Sequence, residues 1–199
     1  MWGRIADSRA RKRVRELVDD TGGGVLVEAG CGTGVLLIEL ARANVGGTTL
    51  GFDLAPGMVA EATRRLRREQ VVGARARQGD IRALDLGDDS VDTLTSSYVL
   101  DILPAEEIRT ALDECSRVLR PGGRLVMVNC TPAETRRHRV PELLYGSGLP
   151  LTANCRAIRL APILKELGFI EVEREYLSQI GLPSEIVRAV NPNASAVVG

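Results

Sequence analysis

Histidine is almost absent from this chain: among 199 residues there is one, His138, and only two of the 26 basic residues are lysines, Lys12 and Lys165. A polyhistidine metal centre and chemistry through a lysine Schiff base therefore have almost no raw material. Aromatic residues are also few, one Trp, three Tyr and two Phe, so a substrate pocket has few candidates for its wall: Trp2, Tyr98 and Tyr145. The cysteines at 31, 115, 130 and 155 show no C-x-x-C pairing, so neither a metal site nor a disulfide framework is expected, and reduced thiols suit a cytoplasmic protein. No uncharged apolar run approaches bilayer-spanning length, and the N-terminal residues lack the apolar core of a signal peptide; neither secretion by that route nor membrane insertion is expected. Lys plus Arg number 26 against 26 Asp plus Glu, which leaves no surplus for displacing counterions, and nucleic acid is not an expected partner.

What is present is a chain with 44% apolar residues, enough to bury one core, and residues 1–199 are expected to form a single domain. Residues 2–18 place apolar side chains at helical spacing on an arginine-rich background, predicting an amphipathic basic helix that caps the domain and stops before Gly22-Gly23-Gly24. Strands and helices then alternate: strands at 25–29, 48–52, 74–78, 91–96 and 124–129, helices at 35–43, 56–70 and 105–119, with Arg120-Pro121-Gly122-Gly123 read as a turn. This alternation demands parallel crossovers, hence an α/β, doubly wound, Rossmann-like, mostly parallel seven-stranded sheet with helices on both faces. Residues 131–157 read as a substrate-side insertion, 160–167 as a helix, and 170–177 with 185–190 as an antiparallel C-terminal hairpin.

The chemical signals gather at strand ends. Glu28-Ala29-Gly30-Cys31-Gly32-Thr33-Gly34 links a strand to a helix, where glycines let a ligand lie against backbone and the helix start offers amide protons. Val35 stands where the dinucleotide fingerprint has its third glycine, and Glu28 would repel a pyrophosphate, which disfavours NAD(P). Asp53 ends the second strand, where an acid can accept ribose hydroxyls, and Asp80-Ile81 follows the third, offering a carboxylate and an apolar side chain to a purine. Each position also has a structural reading, as a turn or cap.

In Val27 to Gly34, Gly51-Phe52-Asp53-Leu54-Ala55-Pro56-Gly57-Met58, Gln78-Gly79-Asp80-Ile81, Val91-Asp92 through Leu103, and Arg117 to Gly123, the chain resembles the class I S-adenosylmethionine-dependent methyltransferases, and among them the ubiquinone and menaquinone C-methyltransferase group. The motifs run in order over residues 25–130, about half the chain. The resemblance implies S-adenosylmethionine as cofactor and S-adenosylhomocysteine as product. It assigns Glu28, Gly30, Cys31, Gly32, Thr33 and Gly34 to the methionine moiety, Asp53 to the ribose, Leu54 and Met58 to the adenine faces, Asp80 and Ile81 to its edge, and Ser96 and Ser97 to the sulfonium side. A small apolar or amphiphilic acceptor, quinone- or phenol-like, is expected; Asp101 and His138 are the candidate bases, with a helix cap and a solvated basic loop, respectively, as their structural readings. Phosphatidylethanolamine N-methylation at an anionic membrane surface is the alternative drawn from the basic first helix, and a cofactor-binding protein without turnover is a further one.

Overall fold

In a computed structural model of the chain, residues 8–18, 23–134, 155–179 and 182–192 are described. They form a seven-stranded sheet in the order β3-β2-β1-β4-β5-β7-β6. The strands are β1 (Val25–Ala29), β2 (Thr48–Asp53), β3 (Ala74–Gln78), β4 (Val91–Ser97), β5 (Leu119–Cys130), β6 (Ile170–Gln179) and β7 (Leu182–Val190). The helices are α1 (Ser8–Val18), α2 (Val35–Ala43), α3 (Pro56–Arg68), α4 (Ala105–Val118) and α5 (Leu160–Glu166), with a 3-10 turn at Leu100–Ile102. The β1 strand pairs in parallel with both β2 and β4, while β7 runs antiparallel to β5 and β6. Strand order therefore reverses between β1 and β4, the place where an open α/β sheet leaves a crevice at its carboxyl edge.

Two-residue alternation divides the central strands between the two faces of the sheet. Leu26, Val126 and Val128 pack with α1 and α2, whereas Val27, Leu125 and Met127 pack with the apolar stripes of α4 and α5. The α4 stripe, Ile108, Ala111, Leu112, Cys115 and Val118, keeps the three- and four-residue spacing of one helix face.

Two sequence readings change. The described part of the first helix is part of the core: Ala10, Val14 and Val18 are buried against Leu26, Leu36 and Val126. Its basic face is partly neutralised, with Arg13 bound to Glu16 and Glu175 and with Arg15 beside Glu39. The apolar face that a membrane-lying helix needs is thus already used in packing. The second change is at Arg120-Pro121-Gly122-Gly123, which lies inside β5 as a bulge. Val91 pairs with Leu119 and Thr93 with Arg124, so four residues stand opposite Asp92 alone. Gly122 N–H donates to Asn191 O at 2.9 Å and Asn191 N–H to Gly123 O at 2.8 Å, so the bulge closes onto the chain leaving β7. Among the described residues no helix is long and apolar enough to cross a membrane.

Candidate functional site

The carboxyl ends of β1, β2, β3 and β4 bring most of the expected residues to one edge. After β1 the chain turns through Gly30, Cys31, Gly32, Thr33 and Gly34 into α2. All three glycines have positive φ, and Gly34, at φ 77°, starts the helix. A methyl group at Gly34 would meet the Ala62 Cβ at 2.9 Å, so packing against α3 reserves that position for glycine. At Gly32, φ 51°, a Cβ would meet no atom within 4 Å. The backbone is therefore approachable from outside at the middle of the loop and closed at its end.

The loop is fastened to β2. Gly30 and Cys31 amides both donate to Phe52 O, at 2.7 and 2.8 Å, and Gly32 N–H donates to Asp53 Oδ2 at 2.8 Å. Asp53 Oδ1 accepts the Ala55 amide at 2.9 Å, which leaves each carboxylate oxygen with capacity for a further donor. Beside Asp53 stand two apolar side chains in solvent, Leu54 at 61% and Met58 at 44% exposure, whereas Phe52 before them and Ala62 and Leu66 of α3 are buried. Glu28, on β1, is 3% exposed. Its charge and that of Asp53 raise the Cys31 thiol further after burial has already raised it, to about 12, so Cys31 is a neutral, packed thiol.

Of the other expected residues, several have partners within the fold. Ser96 is buried and its hydroxyl donates to Ala29 O at 2.8 Å, bracing β4 against β1, while Ser97 Oγ is buried with no hydrogen-bond partner among the described residues. Ile81 contributes its side chain to the core beside Phe52 and Leu84. Asp80 is gripped by Arg82, whose amide and Nε both reach Oδ1 at 2.9 Å, and the guanidinium extends to Glu107 of α4. That guanidinium holds the Asp80 carboxyl below the usual range, and a ligand amine would share the carboxylate with it.

Tyr98, read as substrate wall, packs against the α1 side of the core and donates its hydroxyl to Ser184 Oγ at 3.1 Å. Asp101 is 0% exposed; burial pushes its carboxyl up, and Oδ2 accepts the Cys130 amide at 3.3 Å. Its surroundings are the thiols of Cys130 and Cys155. Trp2, His138 and Tyr145 lie outside the described residues.

Sequence reasoning missed the buried Glu185 of β7, which accepts from Leu160 N–H at 2.8 Å, Thr131 Oγ1 at 3.0 Å and Arg174 Nε. It caps α5 and ties that helix to β5, a structural role whose only sequence signal is an acid just before the apolar pair Ile186-Val187.

Comparison with known proteins supports the fold described above. Residues 26–123 match the family described as a methyltransferase domain. Phosphatidylethanolamine N-methyltransferase of Cereibacter sphaeroides is 33% identical over 129 residues, covering 64% of this chain and 60% of that protein. Demethylmenaquinone methyltransferase of Lactococcus lactis subsp. lactis is 32% identical over 167 residues, covering 82% and 63%. Magnesium protoporphyrin IX methyltransferase of Synechocystis PCC 6803, solved with bound SAH, superposes with a TM-score of 0.75 at 23% identity, covering 93% of this chain and 83% of that one. The first curated relatives are longer proteins, of which this chain spans between 32% and 60%.

Proposed function

Since residues 26–123 are a methyltransferase domain of the class I, S-adenosylmethionine-dependent kind, we propose that the chain methylates a small apolar or amphiphilic molecule, quinone- or phenol-like, on carbon or oxygen. The observation that carries this reading is the open face at Gly32 beside Asp53, flanked by exposed Leu54 and Met58. In it, Asp53 accepts the ribose hydroxyls with the lone pairs left over from Gly32 and Ala55. Leu54 and Met58 cover the adenine, burying apolar area that otherwise faces water. Amides around Gly32 and the first turn of α2 receive the carboxylate of the methionine moiety. Glu28 and Asp53 set a negative field on the side where a positively charged ligand lies. Asp80, through Arg82, fixes the turn under the adenine edge, and Ser97 supplies a hydroxyl on the β4 side.

The bound cofactor supplies a methyl group already attached to a sulfonium leaving group. The protein's work is then to orient the acceptor in line with that carbon and to exclude water. Similarity to the demethylmenaquinone enzyme favours a quinone-like acceptor. Similarity to the phosphatidylethanolamine enzyme supports the second reading, which the buried apolar face of α1 weakens. Incubation with S-adenosylmethionine and separate quinol, phenol and phosphatidylethanolamine-vesicle acceptors, followed by mass spectrometry, separates them: a 14-dalton increment, roughly one CH2, appears on the quinol or phenol. An increment on the lipid alone transfers the assignment to the second reading.

A further inference from the structure

We propose that Asp101, Cys130 and Cys155 form a binding site for a thiophilic divalent cation of the Zn2+ kind, held by two thiolate sulfurs and one carboxylate oxygen. The three residues come from separate elements: the 3-10 turn after β4, the last position of β5, and the segment leading into α5. One ligand atom from each lies within 4.8 Å of the other two. In a tetrahedral shell with metal–sulfur bonds of about 2.3 Å and metal–oxygen bonds of about 2.1 Å, neighbouring donors stand about 3.6 to 3.8 Å apart. The approach required is therefore a side-chain adjustment, with no rearrangement of the backbone.

The backbone already holds the donors together. Arg156 N–H donates to Asp101 O and Ile158 N–H to Cys130 O, both at 2.8 Å, so the strand of chain carrying Cys155 is laid across both other residues. The Arg156 guanidinium adds a bond to Leu103 O at 2.7 Å. These contacts orient the donors as an outer shell does in a metal site.

A second observation points to a ligand. Asp101 is 0% exposed, Oδ2 accepts the Cys130 amide, and Oδ1 has no hydrogen-bond partner among the described residues, where no cationic side chain pairs with it either. A buried carboxylate oxygen without a partner is costly and is resolved by a proton or a cation. A disulfide between Cys130 and Cys155 would leave that oxygen as it is, whereas a cation answers the carboxylate and both sulfurs together. Each thiol gives its proton to solvent as its sulfur–metal bond forms, and the Asp101 carboxyl, where burial keeps it protonated, does the same as its oxygen–metal bond forms. Cys155, part-exposed, provides the entry side.

The site was invisible to a motif search because its donors are scattered along the chain, and it does not depend on which acceptor is methylated. It sits at the carboxyl edge on the β4–β5 side, whereas the loop glycines, Asp53 and Asp80 follow β1, β2 and β3 and only Ser96 and Ser97 lie on β4.

The test uses the full chain, reduced and stripped of metal, titrated with Zn2+ against a chromophoric chelator, and with Co2+ as a spectroscopic probe, in the absence of cofactor. The expected result is one Zn2+ per chain and a thiolate-to-cobalt charge-transfer band that disappears in Cys155→Ser. Asp101→Asn should keep the band while weakening Zn2+ by about tenfold or more. Because Cys155 is part-exposed, Cys155→Ser should melt like the metal-free wild type, and Zn2+ should raise the midpoint of the wild type only. Absence of saturable binding to the reduced wild type, or equal affinity in Cys155→Ser, overturns the proposal.

Discussion

Asp53 Oδ2 accepts the amide proton of Gly32 at 2.8 Å, so the acid ending β2 fixes the middle of the loop that follows β1. One side chain therefore sets loop conformation at the carboxyl edge of the sheet, where the proposed cofactor lies. Asp53→Ala removes both functions and is expected to weaken S-adenosylhomocysteine by about 1 to 3 kcal/mol, the range for losing hydrogen bonds to a charged group. Calorimetric titration of wild type and variant reads this directly.

The glycines of the loop should separate stability from binding. Gly34→Ala forces a side chain into left-handed backbone, at a cost of about 1 to 2 kcal/mol, and adds the collision with Ala62. Gly32→Ala bears the backbone cost without a collision. Thermal melts should rank Gly34→Ala below Gly32→Ala, yet Gly32→Ala, although folded, should lose cofactor affinity because its methyl group occupies the ligand's approach. Normal affinity in folded Gly32→Ala would remove the ligand from that face.

Glu185→Ala should be severe. It removes the buried acceptor shared by Leu160 N–H, Thr131 Oγ1 and Arg174 Nε; Arg174 keeps Glu134, and each buried donor left unsatisfied costs about 1 to 3 kcal/mol. Severing the exposed Glu173–Arg188 pair across β6 and β7 should leave the denaturation midpoint close to wild type. Equal effects in urea titrations would mean that Glu185 does not bind α5 to the sheet.

Cys31 should be inert to alkylation near neutral pH. Its thiol is raised from 9.0 to about 12, so the neutral form is the folded one and the thiolate is scarce until strongly alkaline solution. Since the folded value lies above the unfolded one, this thiol favours the fold fully below about pH 9, and that contribution is lost as pH rises towards 12. Timed iodoacetamide labelling with mass spectrometry at pH 8 should modify Cys31 far more slowly than a free thiol; labelling at the rate of an unfolded control would place it outside the packed loop.

Much of the sheet was readable from the chain because its central strands are short apolar runs ending at glycine or aspartate, as at Val25–Ala29 before Gly30 and Thr48–Phe52 before Asp53. The start of β5 was not readable: Pro121, Gly122 and Gly123 signal a turn locally, and only pairing with β4 makes the segment a bulge within a strand. The Asp53–Gly32 edge was readable since both residues lie in local motifs. The hydrogen bond of Ser96 to Ala29 was not readable because it depends on strand alignment, nor was the burial of α1, since its amphipathic pattern suits a core helix as well as a cap. Glu185 and the Asp101–Cys130–Cys155 group were hidden for a common reason: burial and proximity arise from chain crossings that no local spacing records.

The central claim, a carboxyl edge built for S-adenosylmethionine, is tested most directly by calorimetric titration of the wild-type chain with S-adenosylhomocysteine and, separately, with NADH. Saturable 1:1 binding of S-adenosylhomocysteine, weakened in Asp53→Ala, with no heat from NADH above dilution, is the predicted result. Binding of NADH instead, or S-adenosylhomocysteine affinity unchanged by Asp53→Ala, would contradict it.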